Sequence, residues 1–294
     1  MVFYHIPVLL RESIEFLAIK QEGTYLDATF GGGGHTRNIL ECLGPDGRLL
    51  AFDLDTQSQD NLPNDKRIHW VHSNFRFIHQ VCKHKGILGV DGILADLGVS
   101  WHQFDTPERG FSFRFDAPLD MRMNRKAKKT AAVVLNTYEQ EDLASLFRRY
   151  GGLSRAGAMA AAVVQWRQRK PLQTTEELRA ALQPFIPHTG EHKFLAKTYQ
   201  ALRIEVNNEL RALEGLLTQS IPLLNPGGRL VVITYHSLED RIVKHFLRES
   251  ASAGLLSVLN KKPVTPTEEE IKENSRARSA KLRAAKKRED ASHA

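Results

Sequence analysis

Cysteine is scarce. The chain has only Cys42 and Cys82 and no CxxC pair, which excludes a disulfide framework and a zinc knuckle and fits two idle thiols in a reducing compartment. Long apolar runs are missing as well. No uncharged stretch approaches the ~20 residues a membrane helix needs, and the opening MVFYHIPVLLRES is cut by Pro7 and followed by Arg11 and Glu12, unlike a secretory signal. The expectation is a cytoplasmic protein that meets no membrane. Two nucleotide signatures are also absent. The run Gly31–Gly34 is followed by His35-Thr36 rather than by the Lys-Ser/Thr of a phosphate loop. Counting from Gly31 or Gly32 puts Thr36 or Arg37 where a dinucleotide fingerprint needs its third glycine. ATP and NAD therefore fit poorly, and no compelling cluster of metal ligands stands out, so no metal is expected.

What is present is an ordinary globular composition, 41% hydrophobic and 26% charged over 294 residues, enough for one large domain or a domain carrying an insert. The net charge of +7 is unevenly placed. Residues 272–288 hold eight Lys/Arg against one acid, 109–129 seven against two, and 148–170 six against none. A neutral-to-acidic body with basic blocks suits a polyanionic partner, although solvated helix faces and a disordered tail would produce the same pattern.

The chain opens with alternating strands and helices: TYLDATF (24–30), a helix over 35–44 ending at Gly44-Pro45, then GRLLAFDLD (47–55), RIHWVHSNF (67–75) and DGILADLGVS (91–100). Apolar strands joined by helices predict a parallel sheet covered on both faces. Between about 102 and 200 no strong strand appears, and QEDLASLFRRY, AGAMAAAVVQWRQR and TTEELRAALQPFI read as helices, the last capped at Thr174 or Thr175. Leu202, Val206, Leu210, Leu213 and Leu217 form one helical stripe, NPGG (225–228) a turn, RLVVITYHS (229–237) a fifth strand and EDRIVKHFLRE a helix. The expected class is α/β: a Rossmann-like domain in two parts, 1–101 and 201–260, a helical insert over 102–200, and a basic C-terminal segment, 261–294, with room for one late strand pair.

The chemistry centres on DATFGGGGHT (27–36). Glycines at a strand–helix junction let the backbone approach a ligand, and helix amides then face it. Ligands of open α/β sheets bind outside the carboxyl ends of the strands. Asp27 sets negative charge at this loop, which repels a pyrophosphate and suits the cationic sulfonium of S-adenosylmethionine. Asp53, closing the second strand, is placed to accept ribose hydroxyls. Asp96, closing the fourth, is a third such carboxylate. One acid alone would read as a turn former; three at successive strand ends describe a ligand crevice.

At this point the residues resemble the ribosomal RNA small-subunit methyltransferase H family, also called MraW. The resemblance covers nearly the whole chain through HIPVLLRE (5–12), DATFGGGGHT (27–36), DLGVS (96–100), RGFSFRFDAPLDMRM (109–123), RIEVNNEL (203–210), GRLVVITYHSLEDR (228–241) and SRARSAKLR (275–283). It implies an S-adenosylmethionine-dependent methyltransferase domain with a helical insert for substrate recognition. The implied reaction is methylation of the N4 amino group of a cytidine in the decoding region of 16S rRNA, within the small ribosomal subunit. It also implies cofactor contacts at Gly33, Gly34, His35, Asp53, Phe75, Asp96 and Gln103. Two departures stand out: Trp101-His102 where the family has Ser-Pro, just before Gln103, and Gly151-Gly152-Leu153-Ser154 where it has a Gly-Glu-Glu run.

A cytosine amine is a poor nucleophile because its lone pair is delocalised. An acceptor for its hydrogens helps, and Asp96 is the candidate catalytic residue, with His236 a second candidate that reads equally well as a structural histidine. An RNA base must unstack to react. Phe111, Phe113 and Phe115, of which at least two are expected in the core, alternate with polar residues, and Arg109, Arg114, Arg122 and Arg125 are expected to hold phosphates. The tail SRARSAKLRAAKKR is expected to add salt-dependent affinity. Alternatives are a methyltransferase acting on another nucleic acid, although DNA is not expected, and a ribosome-assembly factor that uses S-adenosylmethionine only structurally.

Overall fold

The computed structural model describes residues 7–289; His5 and Ile6 of the HIPVLLRE block and the last five residues of the tail lie outside the described residues. The chain forms two compact units, one from the residues up to Gly98 together with Leu210 onward, the other Val99–Glu209.

In the first unit, strands β1 (Thr24–Asp27), β2 (Arg48–Asp53), β3 (Ile68–His72), β4 (Val90–Asp96), β5 (Leu224–Thr234), β6 (Leu256–Val258) and β7 (Lys281–Lys287) form one sheet in the order β3-β2-β1-β4-β5-β7-β6. The first five are mutually parallel, and β7 runs antiparallel to both β5 and β6. Between β1 and β4 the order reverses, the switch point at which doubly wound sheets open a crevice. Alternate side chains face opposite layers. Leu26, Leu50, Phe52, Ile93 and Val232 pack with Ile78 of α3 (Ile78–His84), Leu213 and Leu217 of α10 (Glu209–Leu223) and Val243 of α11 (Ser237–Ser252). Tyr25, Leu49, Leu94 and Val231 pack on the other face with Leu17 of α1 (Leu10–Leu17) and Ile39 of α2 (Gly34–Cys42). Burial on both faces is why these strands read as apolar runs rather than as alternation. The class is α/β and Rossmann-like, as expected, and no described helix is long and apolar enough to cross a membrane.

The second unit is helical: α4 (Trp101–Asp105), α5 (Ala131–Thr137), α6 (Gln140–Gly151), α7 (Ala156–Arg167), α8 (Thr175–Leu182) and α9 (Glu191–Asn207). It has its own core, including Phe111, Leu135, Phe147, Val163, Leu178 and Leu202. Thr174 caps α8 in a reciprocal box with Glu177.

Two local expectations are corrected and a third, a late strand in the basic C-terminal segment, is met. The stripe from Leu202 to Leu217 is not one helix. Asn208 takes a left-handed φ of 51° and ends α9, and the Asn207 side chain turns away to accept the Met123 N–H at 2.8 Å and donate to the Met121 carbonyl at 2.8 Å; asparagine tolerates the left-handed region better than other residues with a Cβ. Strand β5 begins at Leu224, the NPGG stretch being absorbed as an irregularity in its pairing with β4, and it ends at Thr234, not at Ser237. The basic tail is no free arm. β7 lies inside the sheet, Arg283 is bound to Asp240 at 2.7 Å, and the Lys287 ammonium donates to the Leu224 carbonyl at 2.7 Å. Its cations Lys281 and Arg283 pair with Asp240, Lys286 with Glu289, and Lys287 with the Leu224 carbonyl.

Candidate active site

Three carboxylates close three neighbouring parallel strands. Asp27 ends β1, Asp53 ends β2 and Asp96 ends β4. In-register pairing puts their ends on one edge of the sheet. Asp27 is fully buried and staples the glycine turn: one oxygen accepts the Thr29 N–H at 3.0 Å, the other the Thr36 hydroxyl at 2.6 Å. Burial pushes its carboxyl up to about 6 against those two hydrogen bonds. The turn then needs glycine at two left-handed positions, Gly31 with φ 51° and Gly33 with φ 73°. A Cβ on Gly33 would stand 2.8 Å from the Phe30 ring, and one on Gly34 would stand within clashing distance, 2.2 Å, of the Pro7 ring. Gly33 caps α2 without a side-chain hydrogen bond, so the first amides of that helix are left to a ligand.

Asp53 accepts the Gly31 N–H at 2.8 Å on one oxygen and the Asp55 N–H at 2.8 Å on the other. The Ser58 hydroxyl also reaches this carboxylate, and lone-pair capacity is left on it for a ribose hydroxyl. Burial raises its carboxyl too. Its backbone carbonyl accepts the Ser73 N–H at 3.1 Å, joining the end of β3 to this edge; Phe75, two residues on, sits half-buried against the core in a short 3₁₀ turn capped by Asn74.

Asp96 is hydrogen-bonded on one oxygen and faced by a histidine on the other. The Tyr235 hydroxyl donates to its Oδ1 at 2.7 Å, and His35 Nδ1 stands 3.8 Å from its Oδ2. Burial lifts its carboxyl to about 7; the Tyr235 hydrogen bond opposes that rise, and the negative charges of Asp27 and Glu239 add to it. His35 is buried, which pulls its imidazole down to about 4, while its Nε2 lies 3.1 Å from the Val8 carbonyl. A carbonyl can only accept, so Nε2 carries the hydrogen and Nδ1 turns a lone pair toward Asp96. His236, the second catalytic candidate, is a structural cap: its Nδ1 accepts the Glu239 N–H at 3.4 Å at the head of α11.

The structure thus brings Gly33, Gly34, His35, Asp53, Phe75 and Asp96 into one unit, while Gln103 belongs to the helical one, where it is buried and exchanges hydrogen bonds with Ser100. The four arginines divide. Arg109 is 3% exposed and donates to the carbonyls of Arg122 and Met123 at 2.9 and 3.3 Å. Arg122 grips Asp120 at 2.6 Å and the Ala127 carbonyl at 2.6 Å. Loop backbone without a ladder needs donors, and these two guanidiniums supply them. Arg114 and Arg125 are exposed. Of the phenylalanines, Phe111 is buried, Phe113 meets Tyr199 edge-on with centroids 5.3 Å apart, and Phe115 is 50% exposed. Sequence reasoning missed Tyr235. The strand-end rule that found the three acids would have found it, had β5 been ended two residues earlier.

The sequence profile of the MraW methylase family matches residues 2–288. The chain belongs to that family. It is 49% identical over 297 aligned residues to the ribosomal RNA small subunit methyltransferase H of Parabacteroides distasonis, covering 97% of each chain. It is 49% identical to the same-named protein of Bacteroides fragilis, covering 97% of this chain and 98% of the relative, and 50% identical to that of Flavobacterium johnsoniae with the same coverage. The methyl donor of such a methylase is S-adenosylmethionine, and the site suits it. Among the described residues neither Asp27, Asp53 nor Asp96 is paired with a lysine or arginine. Acids left without a cation are costly where they are buried, and a ligand bearing a sulfonium and an ammonium, with no phosphate, supplies the missing positive charge.

Proposed function

We propose that this methylase transfers the methyl group of S-adenosylmethionine to the N4 amino group of a cytidine in the decoding region of 16S rRNA, acting in the cytoplasm on the small ribosomal subunit. The observation that carries the reading is the uncompensated acidic crevice around a glycine turn, in a chain about half identical over its length to proteins named for small-subunit rRNA methylation. When bound, S-adenosylmethionine supplies an electrophilic methyl carbon. The residues do the rest. The turn at Gly33 and Gly34 and the buried His35 receive the amino-acid end, Asp53 takes the ribose hydroxyls on its remaining lone pairs, and Phe75 walls the adenine. Asp96 accepts a hydrogen of the reacting amine, which raises electron density on a nitrogen otherwise conjugated with its ring. Gln103 is assigned to the cofactor by the family pattern alone.

The helical unit, Val99–Glu209, is the proposed RNA-recognition element. Its exposed cations, Arg114 and Arg125 with Arg148, Arg149 and Arg169 from the second basic block, are available to phosphates, and Phe115 is free to stack on a base. Arg109 and Arg122 are assigned to loop architecture. The test is methyl transfer from isotope-labelled S-adenosylmethionine to small subunits, naked 16S rRNA and duplex DNA, followed by mass spectrometry of the nucleosides. N4-methylcytidine from the small subunit is the expected product. Label in another nucleoside or in DNA would move the assignment to a different nucleic acid; cofactor binding without turnover on any substrate would make the protein an assembly factor.

A further inference from the structure

Tyr235 lies just past β5, at the same edge as the three acids, and nothing in the family pattern above gives it a role. Its position is fixed from both ends. Its N–H donates to Glu239 Oε2 at 2.9 Å, inside the capping box of α11, and its hydroxyl donates to Asp96 Oδ1 at 2.7 Å. Its ring edge lies against Gly98, where a Cβ would meet Cδ2 at 3.5 Å. The other carboxylate oxygen is different: among the described residues no hydrogen-bond donor reaches Asp96 Oδ2, and the group facing it, His35 Nδ1, is itself an acceptor. One oxygen is tied by a donor and its twin is left with lone pairs.

Resting on the reading that the substrate is an exocyclic amine, we propose that Tyr235 is the positioning residue that turns Asp96 into the base for the amine proton, by pinning Oδ1 and presenting Oδ2. With S-adenosylmethionine bound, the new N–C bond would form as the donor's methyl C–S bond breaks, its electron pair leaving on sulfur, and the nitrogen would gain positive charge. The N–H bond breaks, its electron pair stays on nitrogen, and the proton forms an O–H bond on Asp96 Oδ2; it leaves to solvent when the product departs. The groups facing Asp96 are Asp27 from β1, His35 from α2, Tyr235 after β5 and Glu239 from α11. Two are anionic and one is a neutral acceptor, so among the described residues it is Tyr235 that favours the ionised, basic form. Removing its hydroxyl leaves burial and negative neighbours unopposed, and Asp96 takes up a proton at a higher pH.

The test has two readouts. Carboxyl ¹³C NMR of the ligand-free full chain, with Asp96 assigned by comparison with Asp96→Asn, follows its titration directly; single-turnover methyl transfer to small subunits follows its use. Tyr235→Phe should move the Asp96 midpoint up by about one pH unit, the scale of a lost charge-assisted hydrogen bond. The rising limb of the pH–rate profile should move with it: about tenfold slower near pH 6.5, recovering toward the parent rate near pH 9. A midpoint that stays in place, or a loss equal at every pH, overturns the proposal. If Tyr235→Phe fails to fold, 3,5-difluorotyrosine at 235 keeps the ring and strengthens the donor; the midpoint should then fall, and an unmoved one overturns the proposal. Absence of any transfer by the unsubstituted enzyme sinks the substrate reading instead and leaves the NMR titration to judge the Tyr235–Asp96 coupling.

Discussion

Three acids at one sheet edge, none with a lysine or arginine partner among the described residues, set the behaviour of single residues in this molecule. Asp96 titrates at about 7 when folded and near 4 in an unfolded chain. A folded pKa raised for a carboxylate means that the folded state binds the proton more tightly, so this group penalises the fold above about pH 7 and the penalty fades as pH falls through 7 toward 4. Asp96→Asn keeps an oxygen for the Tyr235 hydroxyl and removes the charge. It should raise the melting temperature of the ligand-free protein at pH 8 by about 2–4 °C, roughly 1 kcal/mol for a chain of this size. At pH 5 most of the gain should be gone, and methyl transfer should be lost at every pH. A melting point lowered equally at both values would show that the carboxylate stabilises the fold instead. His35 has the opposite sign. Its folded value of about 4 lies below the ordinary imidazole value, so its contribution is full above about pH 6.5 and is lost as pH falls toward 4. His35→Gln should therefore flatten the acid side of the stability profile in thermal melts from pH 7 to 4.

At the scale of elements, the glycine turn and β7 carry the most consequence. Gly33→Ala puts a Cβ on a left-handed residue and 2.8 Å from Phe30. The strain, of the order of 1 kcal/mol for the backbone alone, falls on the turn and not on the sheet. S-adenosylmethionine affinity by calorimetry should drop about tenfold or more while the melting temperature moves by only a few degrees; unchanged affinity would take the turn out of the site. β7 was legible only as a basic segment with room for a strand, because a mix of long cations with leucine and alanine says nothing about which strand it joins. Pairing decides that, and here it puts β7 between β5 and β6. Leu282 is fully buried in it, so Leu282→Ala should cost about 2–5 kcal/mol in denaturant unfolding. Truncation before Lys281 should yield insoluble chain, where a basic arm would have been dispensable.

At the scale of the whole molecule, two cores predict two cooperative bodies. The excised segment 99–209 contains Phe147, Val163 and Leu202 with their packing partners, and should show helical circular dichroism with a cooperative melt; a non-cooperative, dye-binding state would mean that it folds only in place. If this unit holds the RNA, Arg148→Gln with Arg149→Gln should shallow the salt dependence of small-subunit binding by about 2 in the log–log slope, one phosphate each, whereas Arg122→Gln should lower stability by releasing Asp120 and the carbonyls of the loop. An unchanged slope in the double variant would separate these arginines from the nucleic acid.

The alternation of buried strands and helices, the helical stretch between them, and the glycine turn with its three acids were legible in the chain alone. Apolar runs, helical periods and Gly-rich junctions are local patterns, and local patterns survive without knowledge of partners. Which cations face solvent depends on the folded packing. Arg109 and Arg114 look alike in RGFSFRF, yet one spends its donors on loop carbonyls and the other does not. Tertiary structure also decided that Asn208 breaks the long apolar stripe, that the basic tail is a strand, and that Tyr235 meets Asp96 across 139 positions of chain. Each of these is a hydrogen-bond assignment between distant segments, and composition and periodicity carry no record of which donor finds which acceptor.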